Sequence, residues 1–138
     1  PLSPKVGEKS VFKVFWRLDN NLHELNNVRV EYALPAYIGF DGREESDFGN
    51  VYFDTNSRRI VWSFDHWDDA SYQHQASFYI SLTPRSEDRN KIMVLSNGAA
   101  VSALDIDTQE SISLKSQAKT TRLEDDDIAS LNNDGRVE

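Results

Sequence analysis

The sequence predicts an all-β protein built from two packed antiparallel sheets. Apolar and polar residues alternate in runs of strand length, as in Phe12, Val14, Trp16 and Leu18, and a period of two is typical of a strand with one buried face. Each run ends at a cluster of Asn, Asp, Gly or Pro residues that favours a turn. No window of about 11 residues, the length of a short amphipathic helix, keeps a helical period.

The first part of the chain is predicted to hold three strands. Residues 1–9 form an extended lead-in, because their prolines lack the N–H donor that a central strand needs. Strands follow at 10–18, where the alternation begins, and at 28–34, which a proline ends. A short strand at 36–40 precedes the acidic residues 41–50, which we predict to form a mobile loop.

The second part of the chain is predicted to alternate strands with polar turns. A hairpin joins residues 51–54 to 59–64, and residues 65–74 form a polar loop. Regular alternation then predicts a strand at 75–83. The last predicted strands lie at 91–95, 99–106 and 110–116. About seven to nine antiparallel strands at this spacing predict an immunoglobulin-like β-sandwich.

Length and composition indicate one acidic domain. A chain of 138 residues fits a single domain, and we expect residues 1–123 to form the sandwich. Residues 124–138, which are rich in Asp and Asn, are expected to form an acidic polar tail or linker. The net charge of −8 opposes binding to nucleic acid. The absence of cysteine excludes disulfides and zinc–thiolate sites.

Two groups of side chains are candidates for binding. Asp105, Asp107 and Glu110 lie between two predicted strands, and alternate carboxylates on an extended segment can converge on calcium. The alternative is an ordinary turn in which Asp and Thr side chains bond their own backbone. Trp67 and Tyr72 lie in the predicted polar loop. An exposed aromatic pair there could contact a carbohydrate or a protein, or the two rings could fold onto the core.

The other polar and aromatic residues favour structural roles. His66 and His74, with aspartates between them, are residue types that hold zinc or transfer protons. A structural metal site needs four ligands on an ordered scaffold, so we favour a polar loop. Trp16 and Trp62 occupy the apolar phase of their strands and are predicted to lie in the core. The same alternation places Lys13 outward, which argues against a crosslink from a buried lysine to an asparagine.

No enzyme motif stands out in the sequence. The chain has no nucleophile elbow, no Walker sequence and no dinucleotide-binding glycine pattern. The chain is therefore predicted not to be an enzyme.

Several short stretches, distributed along nearly the whole chain, carry a family resemblance. They are Val6–Glu8, Phe15–Asn20, Leu25–Val30, Leu34–Pro35, Tyr52–Trp62, Phe78–Pro84, Asp105–Thr108 and Thr120–Leu123. In these stretches the chain resembles an immunoglobulin-like conserved repeat domain of bacterial extracellular and surface proteins, including uncharacterised surface proteins of candidate-phyla bacteria. One departure is Gln109, which stands where relatives often have glycine, and it weakens a calcium loop built on a glycine turn.

The resemblance implies a non-enzymatic extracellular structural or spacer module of a bacterial cell-surface protein. Its partners would be other domains of the same protein or envelope components, and it implies no catalytic residue or cofactor. The alternative is an adhesion or carbohydrate-binding module that uses Trp67 and Tyr72. No apolar run approaches the ~20 residues of a spanning helix. Because the sequence opens at Pro1 without methionine, we expect any targeting segment to lie outside this chain. The resemblance implies that a membrane anchor also lies in a segment outside this chain.

Overall fold

Two antiparallel sheets face each other in the computed structural model of the chain. The structure describes residues 3–20, 23–68, 70–96, 98–115, 119–120 and 136–138. Its strands are β1 (Ser10–Asp19), β2 (Leu25–Ala33), β3 (Ile38–Ser46), β4 (Asn50–Asp54), β5 (Arg59–Trp67), β6 (Gln73–Leu82), β7 (Val94–Ser96), β8 (Ala99–Asp105), β9 (Glu110–Lys115) and β10 (Lys119–Thr120). A single 3₁₀ turn, Ser86–Asp88, interrupts the described strands.

The strand order confirms the predicted all-β immunoglobulin-like sandwich. One sheet has the order β1-β6-β3, and the other has the order β4-β5-β2-β8-β9. All these neighbours pair antiparallel. The short strands β7 and β10 pair with each other. The eight strands of the two larger sheets fall within the predicted number.

Aromatic side chains from both sheets form the centre of the core. Trp62 of β5 and Phe78 of β6 are each 0% exposed, and Trp16 of β1 is half-buried and packs against this cluster. The Trp16 and Trp62 rings stack across the two sheets at a centroid distance of 6.4 Å and an interplanar angle of 16°. Both tryptophans therefore face the core as predicted, and the outward phase of β1 leaves Lys13 exposed, also as predicted.

The predicted mobile loop at residues 41–50 is wrong over most of its length. Strand β3 continues to Ser46, and its ladder with β6 pairs Gly42 with Tyr79 and Glu45 with Ser77. Gly42 and Arg43 both have positive φ, at 80° and 53°, and the register shifts on either side of Gly42. This irregularity breaks the period of two, which is why the strand did not show in the sequence pattern.

The first acidic residue of that segment is neutralised by a neighbour from the lead-in. Lys9 Nζ lies 2.8 Å from Asp41 Oδ1. Hydrogen bonding to Lys9 lowers the pKa of Asp41 below its ordinary value. The carboxylate therefore stays charged to a lower pH than a free aspartate.

The connection between β3 and β4 supplies the partner of the buried Trp62 indole. Trp62 Nε1 donates to the Phe48 carbonyl oxygen at 2.8 Å. The next residue, Gly49, has φ +77°, and a Cβ built on it would lie 2.6 Å from the Ser63 carbonyl oxygen and 2.9 Å from the Phe64 ring. Only glycine fits this close approach, so Gly49 fixes the carbonyl that satisfies the indole.

The last described residues pack against the body of the domain. Val137 is 1% exposed and belongs to the core, while Arg136 forms an antiparallel bridge with Ile92. Residues 124–135 of the predicted tail lie outside the described residues, so the boundary at 124 remains a prediction. At 136–138, however, the chain is attached to the domain.

Replacing Trp62 with alanine should destabilise the fold by about 3–5 kcal/mol, because the change empties a large aromatic site in the core. The matched control is Phe15→Ala, since Phe15 is 68% exposed on the outer face of β1 and its loss should change stability by less than about 0.5 kcal/mol. Urea unfolding measures both. A loss below about 1 kcal/mol for Trp62→Ala would contradict the core position of this ring.

Gly49→Ala should cost about 2–4 kcal/mol, because the new Cβ meets the Ser63 carbonyl and the backbone also has positive φ. Gly7→Ala is the control: Gly7 has φ +79° but nothing lies within 4 Å of its added Cβ. It should cost about 1 kcal/mol, from the backbone alone. Equal losses in thermal melts of the two variants would show that the close approach at Gly49 contributes nothing.

Candidate functional site

The turn between β8 and β9 brings two of the predicted carboxylates beside a histidine. His23 Nδ1 lies 3.3 Å from Asp105 Oδ2 and 3.9 Å from Asp107 Oδ2. One ligand atom from each of the three residues lies within 4.8 Å of the others. Glu110, the third predicted ligand, is not in this group.

The backbone of the turn is organised by Asp105. Its side chain is mostly buried, and its Oδ1 accepts hydrogen bonds from the Asp107 N–H at 2.9 Å and the Thr108 N–H at 3.3 Å. The Gln109 N–H donates to the Asp105 carbonyl oxygen at 2.8 Å. Gln109 has φ 62°, so a glutamine takes the left-handed conformation expected of glycine here. The turn thus has the Asp/Thr bonding pattern that was the alternative to a calcium loop.

The donor set at this turn differs from the predicted set in its chemistry. A histidine nitrogen with two carboxylates suits a transition metal such as zinc, whereas calcium prefers oxygen ligands alone. One oxygen of Asp105 is already engaged by the backbone. His23 was not predicted as a member of this group, because it lies in the connection between β1 and β2, far in sequence from the β8–β9 turn. Only the pairing of β2 with β8 brings it to the turn. Calcium binding by Asp105, Asp107 and Glu110 is untested, and of the two alternatives for this turn the ordinary Asp/Thr turn is the one that these hydrogen bonds favour.

The predicted aromatic pair is divided between core and surface. Trp67 is the last residue of β5 and is 2% exposed, and its indole N–H donates to the Ser71 carbonyl oxygen at 2.7 Å. Tyr72 is 68% exposed. Of the two alternatives for Trp67, the structure has the ring folded onto the core: the strand extends beyond the apolar run, and the alternation turns this ring inward against Phe64. A binding role for Tyr72 remains a prediction.

The two histidines of the same region have different partners. His66 Nδ1 lies 2.8 Å from Asn26 Oδ1. His74 is buried, stacks on Phe48 at a centroid distance of 4.8 Å, and places Nδ1 3.3 Å from Asp47 Oδ1. His74 therefore holds the β3–β4 connection against the end of the sandwich. Among the described residues, the only group of three histidine or acidic side chains close enough to share a metal is that at His23.

The outer face of the three-stranded sheet carries a shallow groove of mixed charge. The Arg43 guanidinium lies 3.6 Å from the Tyr79 ring centroid, and Lys13 contacts the rings of Phe15 and Tyr79. Glu45 lines the same groove. Basic and acidic side chains both line the groove. The groove therefore has no predominant sign of charge that would select a ligand.

Comparison with known proteins relates the fold to bacterial pilins. The chain is similar to the full-length major pilin SpaD from Corynebacterium diphtheriae, with a TM-score of 0.55 at 12% identity over 86% of this chain and 32% of that chain. It is also similar to domains D2 and D3 of the same pilin, with a TM-score of 0.51 at 12% identity over 86% of this chain and 48% of that chain. The chain thus spans about a third of the full-length pilin. At this identity the likeness concerns the fold alone.

No protein-family model and no curated protein matches the chain. Within the described part of the chain, no helix has the length and apolarity to cross a membrane. The immunoglobulin-like fold expected from the resemblance is thus found, while membership of the conserved repeat family remains a prediction.

The calcium prediction is tested by melting the protein in millimolar calcium, in chelator and in sodium chloride of matched ionic strength. We expect the three curves to coincide, because Glu110 lies outside the cluster and the backbone engages one Asp105 oxygen. A bound ion at a hundred times its dissociation constant would add about 2.7 kcal/mol of stability.

One outcome of the melting experiment would contradict the expected result. A calcium-specific rise in melting temperature that Asp107→Asn abolishes would identify a calcium site. A fourth melt in zinc tests the cluster that includes the histidine: a zinc-specific rise in melting temperature that is lost in His23→Ala would identify a mixed nitrogen and oxygen site.

Proposed function

We propose that the chain is a non-enzymatic structural module of a bacterial cell-surface protein and lies outside the membrane. The observation that carries this proposal is the similarity of the fold, at a TM-score of 0.55 over 86% of the chain, to a major pilin. A pilin is the structural subunit of a surface fibre. In this role the chain provides a folded unit that spaces other domains of the same protein, and its partners are those domains or envelope components.

The geometry of the described residues supports a structural role. His74 and Trp67 are packed into the end of the sandwich. The Asp105 carboxylate bonds the backbone of its own turn. Among the described residues, the buried histidine, His74, and the buried carboxylate, Asp105, thus each have a structural partner, as expected when such groups hold the fold rather than react.

An adhesion or carbohydrate-binding module is the second candidate function. It relied on an exposed pair of aromatic rings, and only Tyr72 of that pair is at the surface. A single ring offers about half of the stacking platform that the pair would provide. A glycan array probed with the chain and with Tyr72→Ala tests this alternative, and binding that the substitution abolishes would favour it over a spacer.

The proposed location is tested on intact cells of the source organism with antibodies raised against the chain. We expect the antibodies to label unpermeabilised cells, and protease added outside the cells should remove the label. An antibody against a ribosomal protein is the control and should label only permeabilised cells. A label that appears only after permeabilisation would overturn the proposal.

A further inference from the structure

The two ends of the described chain are hydrogen-bonded to each other. The Glu138 N–H donates to the Pro4 carbonyl oxygen at 2.7 Å, and the Val6 N–H donates to the Glu138 carbonyl oxygen at 2.7 Å. Glu138 thus bonds the two residues on either side of Lys5. This is the hydrogen-bond pattern of a parallel pair, so residues 4–6 and 136–138 run in the same direction.

Both segments of this parallel pair are anchored in the domain. On the C-terminal side, Val137 is buried in the core, its N–H donates to the Lys91 carbonyl oxygen at 2.9 Å, and its carbonyl oxygen accepts from the Asn90 N–H at 2.8 Å. On the N-terminal side, Pro4 is buried and Val6 packs against the core. Residues 136–138 therefore lie between the lead-in and residues 90–92.

The parallel direction determines how tension would act on this contact. In a parallel pair, the chain before the first segment and the chain after the second segment leave from opposite ends of the pair. A pull on both ends therefore shears the two hydrogen bonds together. In an antiparallel hairpin, by contrast, a pull on the two chain ends opposite the turn opens the hydrogen bonds one at a time. Removing Val137 from the core must accompany the shear, because its buried side chain is part of the same segment.

We propose that Pro4–Val6 and Arg136–Glu138 form a terminal clamp that bears force and keeps the sandwich folded when the chain is pulled from its two ends. The proposal rests on the proposed function, because a spacer within a surface protein carries tension between its neighbours. The clamp places the first barrier to forced unfolding at the contact between the termini. The strands of the two sheets are shielded until this contact breaks.

The experiment is single-molecule unfolding of the full chain held between two marker domains, with a matched pair of core substitutions. Val137→Ala truncates the clamp, and Val28→Ala removes the same methyl groups from β2, the central strand of the larger sheet. The two valines are 1% and 2% exposed. Both variants should lower the urea midpoint by similar amounts, since the same apolar atoms leave buried sites.

Under constant force the unfolding rates of the two variants should differ. Val137→Ala should unfold roughly tenfold faster than the wild type, because its contacts break before the forced transition state is reached. Val28→Ala should unfold less than about threefold faster, because β2 is still packed at that point. Equal acceleration by the two substitutions would overturn the clamp.

A milder pair keeps the test decisive if Val137→Ala does not fold. Val6→Ala truncates the other segment of the clamp, and Val101→Ala is its control, because both side chains are partly buried against the core. Only Val6→Ala should accelerate unfolding under force. The clamp and the proposed function can fail independently. Equal unfolding rates under force would contradict the clamp but not the surface location. An antibody label that appears only inside the cell would contradict the surface location but not the clamp.

Discussion

The structure depends on giving a hydrogen-bond partner to one buried indole. Trp62 is completely buried between the sheets, and leaving its N–H without an acceptor would cost about 1–3 kcal/mol. The acceptor is the Phe48 carbonyl oxygen, which reaches the indole only because Gly49 allows the backbone to pass close to β5. The Phe48 ring then stacks on His74. One polar atom in the core thus determines how the end of the sandwich is closed.

The predicted strands were accurate where one face of the strand is buried and the register is regular. Strand β1 was predicted at 10–18 and runs over Ser10–Asp19, since its edge position keeps a clear alternation of half-buried and exposed side chains. Strand β2 begins at Leu25, earlier than the predicted start at residue 28. The prediction began too late because two asparagines, which favour turns, lie inside the strand. One of them, Asn27, has φ 53° and lies within the register shift towards β8. Tertiary pairing overrode local turn preference there.

The candidate sites were less predictable than the fold because they combine residues that are distant in sequence. Local spacing identified Asp105 and Asp107 as neighbours, but His23 joins them from the β1–β2 connection. The polar neighbours of Trp67 in sequence left open whether its ring is exposed or folded onto the core, and the course of the strand turns the ring inward. The pairing of Pro4 and Val6 with Glu138 had no sequence signal at all, since backbone groups make it. Such contacts depend on how distant strands pair, and the residue types of a short stretch of sequence do not specify that pairing.

The stacked rings of Trp16 and Trp62 belong to different sheets, and this has an optical consequence. Two indoles held 6.4 Å apart in one orientation form a chiral chromophore pair whose near-ultraviolet circular dichroism depends on the docking of the sheets. The far-ultraviolet signal depends mainly on the strands. A state that keeps the far-ultraviolet signal and loses the near-ultraviolet signal has its strands but not the fixed packing of the two sheets, as in a molten globule. The two circular dichroism signals of this domain therefore distinguish loss of packing between the sheets from loss of the sheets themselves.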